Sequence, residues 1–306
     1  MSFPSKANLH LTIGIATWNR AALLSRTLES LARVRLPPGL TREVVVCDNN
    51  SSDDTPAILS AAASQFPGVL RPLFEPNQGK SHALNQILVQ ATGQWVLLID
   101  DDVLVDSDWI EGYARGIAHY PDAVCLGGAI EPDVAGPCSR RRRFLLQTYP
   151  GAFGVLAVPQ DRPMHSPDTA WGANMALRRD CIPAQGFPTD RGLFGNHRIA
   201  GEDMRMMQIM LERGPGWLLA GVPVRHYLPA ASISVARFRS GQMAVGRSWR
   251  GYREAPKPGR WGVAWWAWRH LAGRGLKALT RWRPWPTRPY FDALADACQW
   301  WGFLRG

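Results

Sequence analysis

The 306-residue chain has no CxxC pair, and its five cysteines (Cys47, Cys125, Cys138, Cys181 and Cys298) are odd in number and widely spaced. That pattern argues against a disulfide framework and against a cysteine-based zinc site, and it suits a reducing compartment. No stretch reaches the run of about 18 uninterrupted apolar residues that a membrane-spanning helix needs. The first residues, Met1-Ser2-Phe3-Pro4-Ser5-Lys6, lead directly into a strand-like run with no signal-peptide h-region. The expected location is therefore cytoplasmic. There is no internal repeat. Charge is sparse, at 20% of residues against 46% apolar, so the chain can bury a sizeable core and is not disordered. Its length allows one large domain or two modest ones.

The net charge of +10 is unevenly placed. From residue 233 onward there are fourteen Lys/Arg and three Asp/Glu, so this segment carries all of the positive excess. It also holds nine of the fourteen tryptophans. Such asymmetry marks a segment with its own partner.

Before that segment, strand and helix patterns alternate. Residues 10–17, 43–47, 69–74 and 94–99 read as strands, and 20–33, 55–66 and 80–91 as helices. Continuous apolar runs separated by helical periodicity predict a parallel α/β sheet. Beyond 103 the pattern loosens. A helix is expected at 108–120, strands at 123–130 and 171–177, a helix at 201–211 and a strand pair at 217–228. Residues 132–167, rich in Pro, Gly and Arg, read as a region containing a mobile loop.

The apolar run Trp95-Val96-Leu97-Leu98-Ile99 ends in Asp100-Asp101-Asp102. Open α/β sheets bind ligands just outside the carboxyl ends of their strands. Three adjacent carboxylates repel one another, and a divalent cation with oxygen ligands would remove that penalty. A metal-bridged phosphate substrate is one reading; a solvated turn of capping residues is the other. Thr17-Trp18-Asn19-Arg20, Asp48 and His226 also stand at strand ends, and Glu202-Asp203 opens a helix.

The ordered set of motifs carries a resemblance. Its members are Ala16-Thr17-Trp18-Asn19-Arg20, Glu43-Val44-Val45-Val46-Cys47-Asp48-Asn49-Asn50-Ser51, and Asn77-Gln78-Gly79-Lys80 with Ala83 and Asn85. Gly93, Ile99-Asp100-Asp101-Asp102, Trp171-Gly172-Ala173-Asn174-Met175-Ala176 and Gly201-Glu202-Asp203 follow in order. Across residues 10 to 230 the chain resembles a family-2 glycosyltransferase, of the inverting, nucleotide-sugar-dependent type. The resemblance implies a GT-A fold: a mostly parallel, Rossmann-like central sheet flanked by helices, here followed by a helical basic C-terminal extension. The expected division is a catalytic domain at 9–232 and the extension at 233–306.

The resemblance also implies roles. Asp102 and His226 would hold Mn2+ or Mg2+, which clamps a diphosphate and stabilises the leaving charge. Asp100 and Asp101 would face the ribose, with Asp101 the candidate for a plain turn cap instead. Asp48 would meet the nucleobase edge, against the alternative of an Asx-turn. Thr17 and Trp18 would flank the base, the aromatic ring by stacking. Most members have Tyr at the Trp18 position, and core packing is the competing reading. Lys80 would contact phosphate unless it is merely solvated. Asp203 would be the catalytic base, since a carboxylate within hydrogen-bond reach of a hydroxyl can take its proton. Acidic residues also suit a first helical turn for electrostatic reasons alone. Glu202 would orient the acceptor, and Trp171, Gly172 and Asn174 would line the acceptor side.

The resemblance thus implies sugar transfer from a nucleoside diphosphate sugar, most often a UDP-sugar, to a saccharide or lipid-linked hydroxyl. That fits polysaccharide or glycolipid assembly. The alternatives are a nucleotidyltransferase and a catalytically silent binding protein on the same scaffold. The former would usually show a Gly-rich phosphate loop after the first strand, where Thr17-Trp18-Asn19-Arg20 stands instead. Tryptophans interleaved with Lys/Arg in the tail fit an anionic membrane surface, with peripheral attachment to the inner face of the cell membrane. Nucleic acid is the less favoured partner, because the catalytic part has no such signature. The Arg140–Arg143 run reads either as a solvated face or as a contact for an anionic acceptor.

Overall fold

The computed structural model describes residues 9–189, 192–194, 197–199, 201–249, 272–273, 275–277 and 287–305. Side chains are described for all of these except 192–199, 247–249 and 302–305. The N-terminal alternation folds as β1 (Leu9–Thr17), α1 (Ala21–Ala32), β2 (Leu40–Asp48), α2 (Thr55–Gln65), β3 (Val69–Phe74), α3 (Lys80–Gln90) and β4 (Trp95–Asp100). Then come β5 (Val103–Val105), α4 (Trp109–His119), β6 (Cys125–Ala135), α5 (Arg140–Thr148), β7 (Arg162–Pro163) and β8 (Asn174–Arg178). The chain continues through β9 (Gly192–Phe194), β10 (His197–Ile199), α6 (Glu202–Leu211), β11 (Gly216–Pro229), α7 (Val235–Trp249) and α8 (Arg288–Arg305). Among the described residues no helix is long and apolar enough to cross a membrane.

The main sheet runs β3-β2-β1-β4-β8-β6-β11-β5, with β7 beside β11. It is parallel from β3 to β4, because α1, α2 and α3 supply the crossovers that parallel pairing requires. Beyond β4 the β4–β8 and β8–β6 pairs are antiparallel. Side chains two apart share a face, so each inner strand feeds two cores. Leu11, Ile13, Ile15, Val44, Val46, Leu97 and Ile99 pack with α1, α2 and α4. Val45, Cys47, Val96 and Leu98 pack with Ala83 and Ile87 of α3 and Met206, Met207 and Met210 of α6. Full burial of each large aliphatic side chain contributes about 1.5–3 kcal/mol.

Helix ends follow local chemistry. Asp53 accepts from the Thr55 N–H at 3.0 Å, and Pro56 stands in the first turn of α2, where its missing N–H costs nothing. Gly93 is required by close approach, since a Cβ there would run into the backbone of Leu11 and Thr12.

Three expectations are corrected. Within 132–167, the Arg140–Arg143 run expected in a loop instead opens α5, because Ser139 caps the helix by accepting from Arg142 N–H and the arginines are good helix formers. The expected strand at 171–177 begins only at Asn174, after a turn. The expected strand pair at 217–228 is one 14-residue strand, β11.

The chain divides into two compact units. One comprises Met1–Asp133, Val155–Asn196 and Glu202–Tyr227; the other comprises Val134–Gly154, His197–Gly201 and Leu228–Gly306. The second unit has its own core, in which Phe238 meets Tyr149 and Phe291 edge-on at centroid distances of 5.1 and 5.4 Å. The Tyr149 hydroxyl lies 2.7 Å from Asp292 Oδ1, and α7 meets α8 where Gln299 Nε2 donates to Gln242 Oε1 at 2.6 Å. Trp261, Trp265, Trp266, Trp268, Trp282 and Trp285, central to the expected membrane segment, lie outside the described residues.

At the amino-terminal edge of the sheet, Glu43 is buried. It accepts from Thr12 at 2.6 Å, from the Thr92 N–H and hydroxyl at 2.8 and 2.7 Å, and from Arg71 at 2.7 Å. Burial disfavours its charge, but these bonds outweigh burial and hold it below the usual Glu range. Its stabilising contribution is therefore full above the unfolded value of about 4.3 and is lost as pH falls through the lower folded value. Glu43→Gln should flatten the fall in urea-denaturation stability below about pH 4.3. Glu43→Ala should cost about 3 kcal/mol at neutral pH.

Candidate active site

Strand register brings the carboxyl ends of β1, β2 and β4 level. Thr17 pairs with Asp48, and Ala16 pairs with Asp100. The chain builds outward from β1 to β3 and then returns to β4 on the other side of β1. That reversal opens the crevice where doubly wound sheets bind ligands.

The loops at this edge are cross-bonded. Asn19, at φ +52°, accepts from the Ser52 N–H at 2.7 Å, while its own N–H donates to Ser51 Oγ at 2.9 Å. Asn49 donates to the Asn77 carbonyl at 2.6 Å and accepts from the Gly79 N–H at 2.8 Å. The loop after β2 thereby fixes the loop that starts α3 with Lys80. Asp48 is buried, and its Oδ1 accepts from the Ser51 N–H at 3.0 Å, so it does form the turn bond. Trp18 is 37% exposed, which removes core packing as its explanation.

Each carboxylate of the triplet has its own partners. Asp100 pairs with the Lys80 ammonium, so Lys80 is not simply solvated. Burial opposes the Lys80 charge, but Asp100, Glu202 and Asp203 outweigh it and lift its pKa above the ordinary range. Asp101 is no turn cap. It is buried, accepts from the Thr17 hydroxyl at 2.7 Å and from Arg20 at 3.2 Å, and its carbonyl accepts from Thr27 at 3.0 Å. Burial, against the opposing pull of Arg20, pushes its carboxyl up to about 6. Asp102 Oδ2 pairs with Arg20, and its Oδ1 lies 3.4 Å from His226 Nε2. Burial again disfavours charge, but His226 and Arg20 hold Asp102 below the usual carboxylate range. The β11–β5 pairing sets this contact, since His226 faces Val103 and the Tyr227 N–H donates to the Asp102 carbonyl at 2.8 Å.

Asp102 Oδ1 is buried and accepts no hydrogen bond from the described residues. Such an oxygen beside an imidazole nitrogen fits a divalent cation. Among the described residues no set of three or more His, Cys, Asp or Glu could hold a metal alone. A cation bound by one carboxylate and completed by substrate phosphates matches the habit of Mg2+.

On α6, Asp203 accepts from the Gly172 N–H at 3.1 Å and from the Met204 N–H at 2.8 Å. A Cβ at Gly172 would stand 3.4 Å from Lys80 Nζ and 3.8 Å from Asp203 Oδ2. Gly172 thus sits between the two, with half-buried Trp171 beside it and Glu202 next to Asp203. Asn174 does not line this space. It is fully buried, its Nδ2 donating to the Val222 and Ala129 carbonyls at 2.7 and 3.0 Å and its Oδ1 accepting from the Tyr113 hydroxyl at 2.8 Å. The sequence pattern assigns no role to Arg20, Asn49 or Thr27. Arg20 and Asn49 stand inside the motifs, but Thr27 carries no local signal.

The sheet order, with a carboxylate-lined switch point, defines a fold of the GT-A class. The fold is similar to that of S. aureus TarS 1–349 in complex with UDP, at a TM-score of 0.53 and 17% identity, covering 78% of this chain and 65% of that one. It is also similar to mannosyltransferase PcManGT from Pyrobaculum calidifontis in complex with GDP-Man and Mn2+, at a TM-score of 0.51 and 21% identity, covering 96% and 71%. The model of glycosyl transferase family 2 matches residues 12–180, and the chain belongs to that family. It is 31% identical over 243 residues to succinoglycan biosynthesis protein ExoM of Rhizobium meliloti (strain 1021), covering 76% of this chain and 74% of that protein.

Asn174→Ala should destabilise the fold by about 2–4 kcal/mol, because it strips partners from several buried polar groups at once. Urea denaturation measures this, and a change within about 0.5 kcal/mol would contradict the structural role.

Proposed function

We propose that this chain is an inverting glycosyltransferase that moves a sugar from a nucleoside diphosphate sugar to an acceptor hydroxyl. The observation that carries the reading is the meeting of Lys80 with Asp100 on one side and with the Gly172–Asp203 contact on the other. A Cβ at Gly172 would be in contact with both Lys80 Nζ and Asp203 Oδ2, so a phosphate-neutralising charge and a carboxylate suited to deprotonate an acceptor border the same space.

In this reading Thr17, Trp18 and Asp48 receive the base, and Asp100 and Asp101 face the ribose. Lys80 meets the diphosphate. Asp102 and His226 would hold Mn2+ or Mg2+, which when bound offsets charge on the leaving diphosphate. Asp203 takes the proton as the acceptor oxygen bonds to the anomeric carbon. The bond from that carbon to the diphosphate oxygen breaks, and the nucleoside diphosphate leaves. Glu202, Trp171 and Gly172 shape the acceptor side. The TarS and PcManGT complexes support UDP and GDP as the nucleotides to test and Mn2+ as the metal. The likeness to a succinoglycan biosynthesis protein supports a polysaccharide or lipid-linked acceptor. The basic segment from residue 233 supports peripheral attachment to an anionic membrane.

Calorimetry of UDP and GDP with and without Mn2+ tests the donor site. One nucleotide should bind in a metal-dependent way, and Asp102→Ala should abolish that dependence. Absence of nucleotide binding under every condition would sink the transferase reading. Asp203→Asn should lower turnover, followed as nucleotide release, by about 10²–10⁴-fold while nucleotide affinity stays at the wild-type level.

A further inference from the structure

Arg20 has no part in the chemistry above, yet it is the cation that joins two members of the triplet. One nitrogen, Nη1, meets both Asp101 Oδ1, at 3.2 Å, and Asp102 Oδ2. The Arg20 side chain is 43% exposed, whereas the Asp101 and Asp102 side chains are 8% and 10% exposed. A solvent-facing cation thus covers two buried anions. The two anions differ in what else they hold. Asp101 is tied to the Thr17 hydroxyl, whereas Asp102 turns its second, buried oxygen toward His226.

A cation bound between Asp102 Oδ1 and His226 would share one carboxylate with the Arg20 guanidinium. Two positive charges that share one carboxylate repel each other, and the burial of Asp102 limits the screening between them. Arg20 also withdraws negative charge from the oxygen pair that a metal needs. A nucleoside diphosphate brings the negative charge that offsets both cations.

We propose that Arg20 is a positioning residue that holds Asp102 against metal loading until a nucleoside diphosphate is present, so that metal and donor bind interdependently. The proposal rests on the donor-site reading above. Coupling of this kind is reciprocal: if Arg20 weakens metal binding in the absence of nucleotide, it enlarges the factor by which each ligand strengthens the other.

Calorimetric titration of Mn2+ alone, UDP alone and UDP at saturating Mn2+ tests this on wild type, Arg20→Ala, Arg20→Gln and Arg20→Lys. GDP replaces UDP if that is the nucleotide the wild type binds. Mn2+ alone should bind Arg20→Ala and Arg20→Gln about tenfold more tightly than wild type, within the usual range of coupling between sites. The Mn2+–nucleotide coupling should shrink by the same factor, and Arg20→Lys should keep the wild-type coupling. Mn2+ alone should also raise the melting temperature of Arg20→Ala by more than it raises that of wild type. Arg20→Gln carries the test if Arg20→Ala does not fold. Unchanged or weaker Mn2+ affinity in the neutral variants would make Arg20 a structural clamp and overturn the proposal, as would loss of coupling in Arg20→Lys. Metal-dependent nucleotide binding in wild type with no change in the variants defeats this proposal alone. Nucleotide binding in none of the proteins defeats the donor-site reading as well.

Discussion

Three consecutive carboxylates at the end of one buried strand need countercharge, and the arrangement of the site follows from how each obtains it. Asp100 takes Lys80, Asp101 takes the Thr17 hydroxyl and shares Arg20, and Asp102 shares Arg20 and faces His226. Those partners come from β1, the loop that follows it, the start of α3 and the end of β11. Compensating the triplet therefore draws four separate parts of the chain to one edge of the sheet. The compensation is only partial at Asp102, whose second oxygen is buried without a hydrogen bond from the described residues. That oxygen, 3.4 Å from His226 Nε2, is the one the proposed cation would use.

The sheet makes this precision affordable by holding the strand ends rigid from both faces. Alternate residues of β1, β2 and β4 enter different cores, so neither face is free to slide. Side-chain bonds from Asn19 and Asn49 then tie each loop to its neighbour rather than leaving it to solvent. Asn174 does the same deeper in, joining β8 to the carbonyls of Ala129 and Val222 and to the Tyr113 hydroxyl. The site edge is thus positioned by buried polar bonds whose members are far apart in sequence.

Much of this was legible beforehand, for reasons that differ by element. The stretch from β1 to β4 was readable because apolar runs and helical spacing are strong there, and its elements ended within a residue or two of the expected positions except at the start of β2. α5 was hidden because Arg140-Arg141-Arg142-Arg143 lies in a Pro- and Gly-rich neighbourhood, which masked both the Ser139 cap and the helical preference of arginine. Asn174 was misplaced because a polar residue next to Trp171-Gly172-Ala173 looks like part of the same lining. The chain enters β8 at Asn174, where the Val222 and Ala129 carbonyls and the Tyr113 hydroxyl hold its side chain in the core. The alternative of a turn cap at Asp101 stayed open in the sequence because nothing local reveals that Thr17 and Thr27 reach it.

The sequence by itself determined the alternation of strands and helices, the polar strand ends and the presence of three adjacent carboxylates. These are properties of neighbouring residues, expressed through periods of two and about 3.6. Only the tertiary structure decided which cation serves which carboxylate, that Arg20 spans two of them, and that Gly172 stands between Lys80 and Asp203. Those pairings depend on strand register and on contacts between residues more than 30 positions apart, such as Thr17 with Asp101 and Gly172 with Asp203. Local pattern carries no information about them, because the charge interactions that select them arise only once the buried strands have aligned.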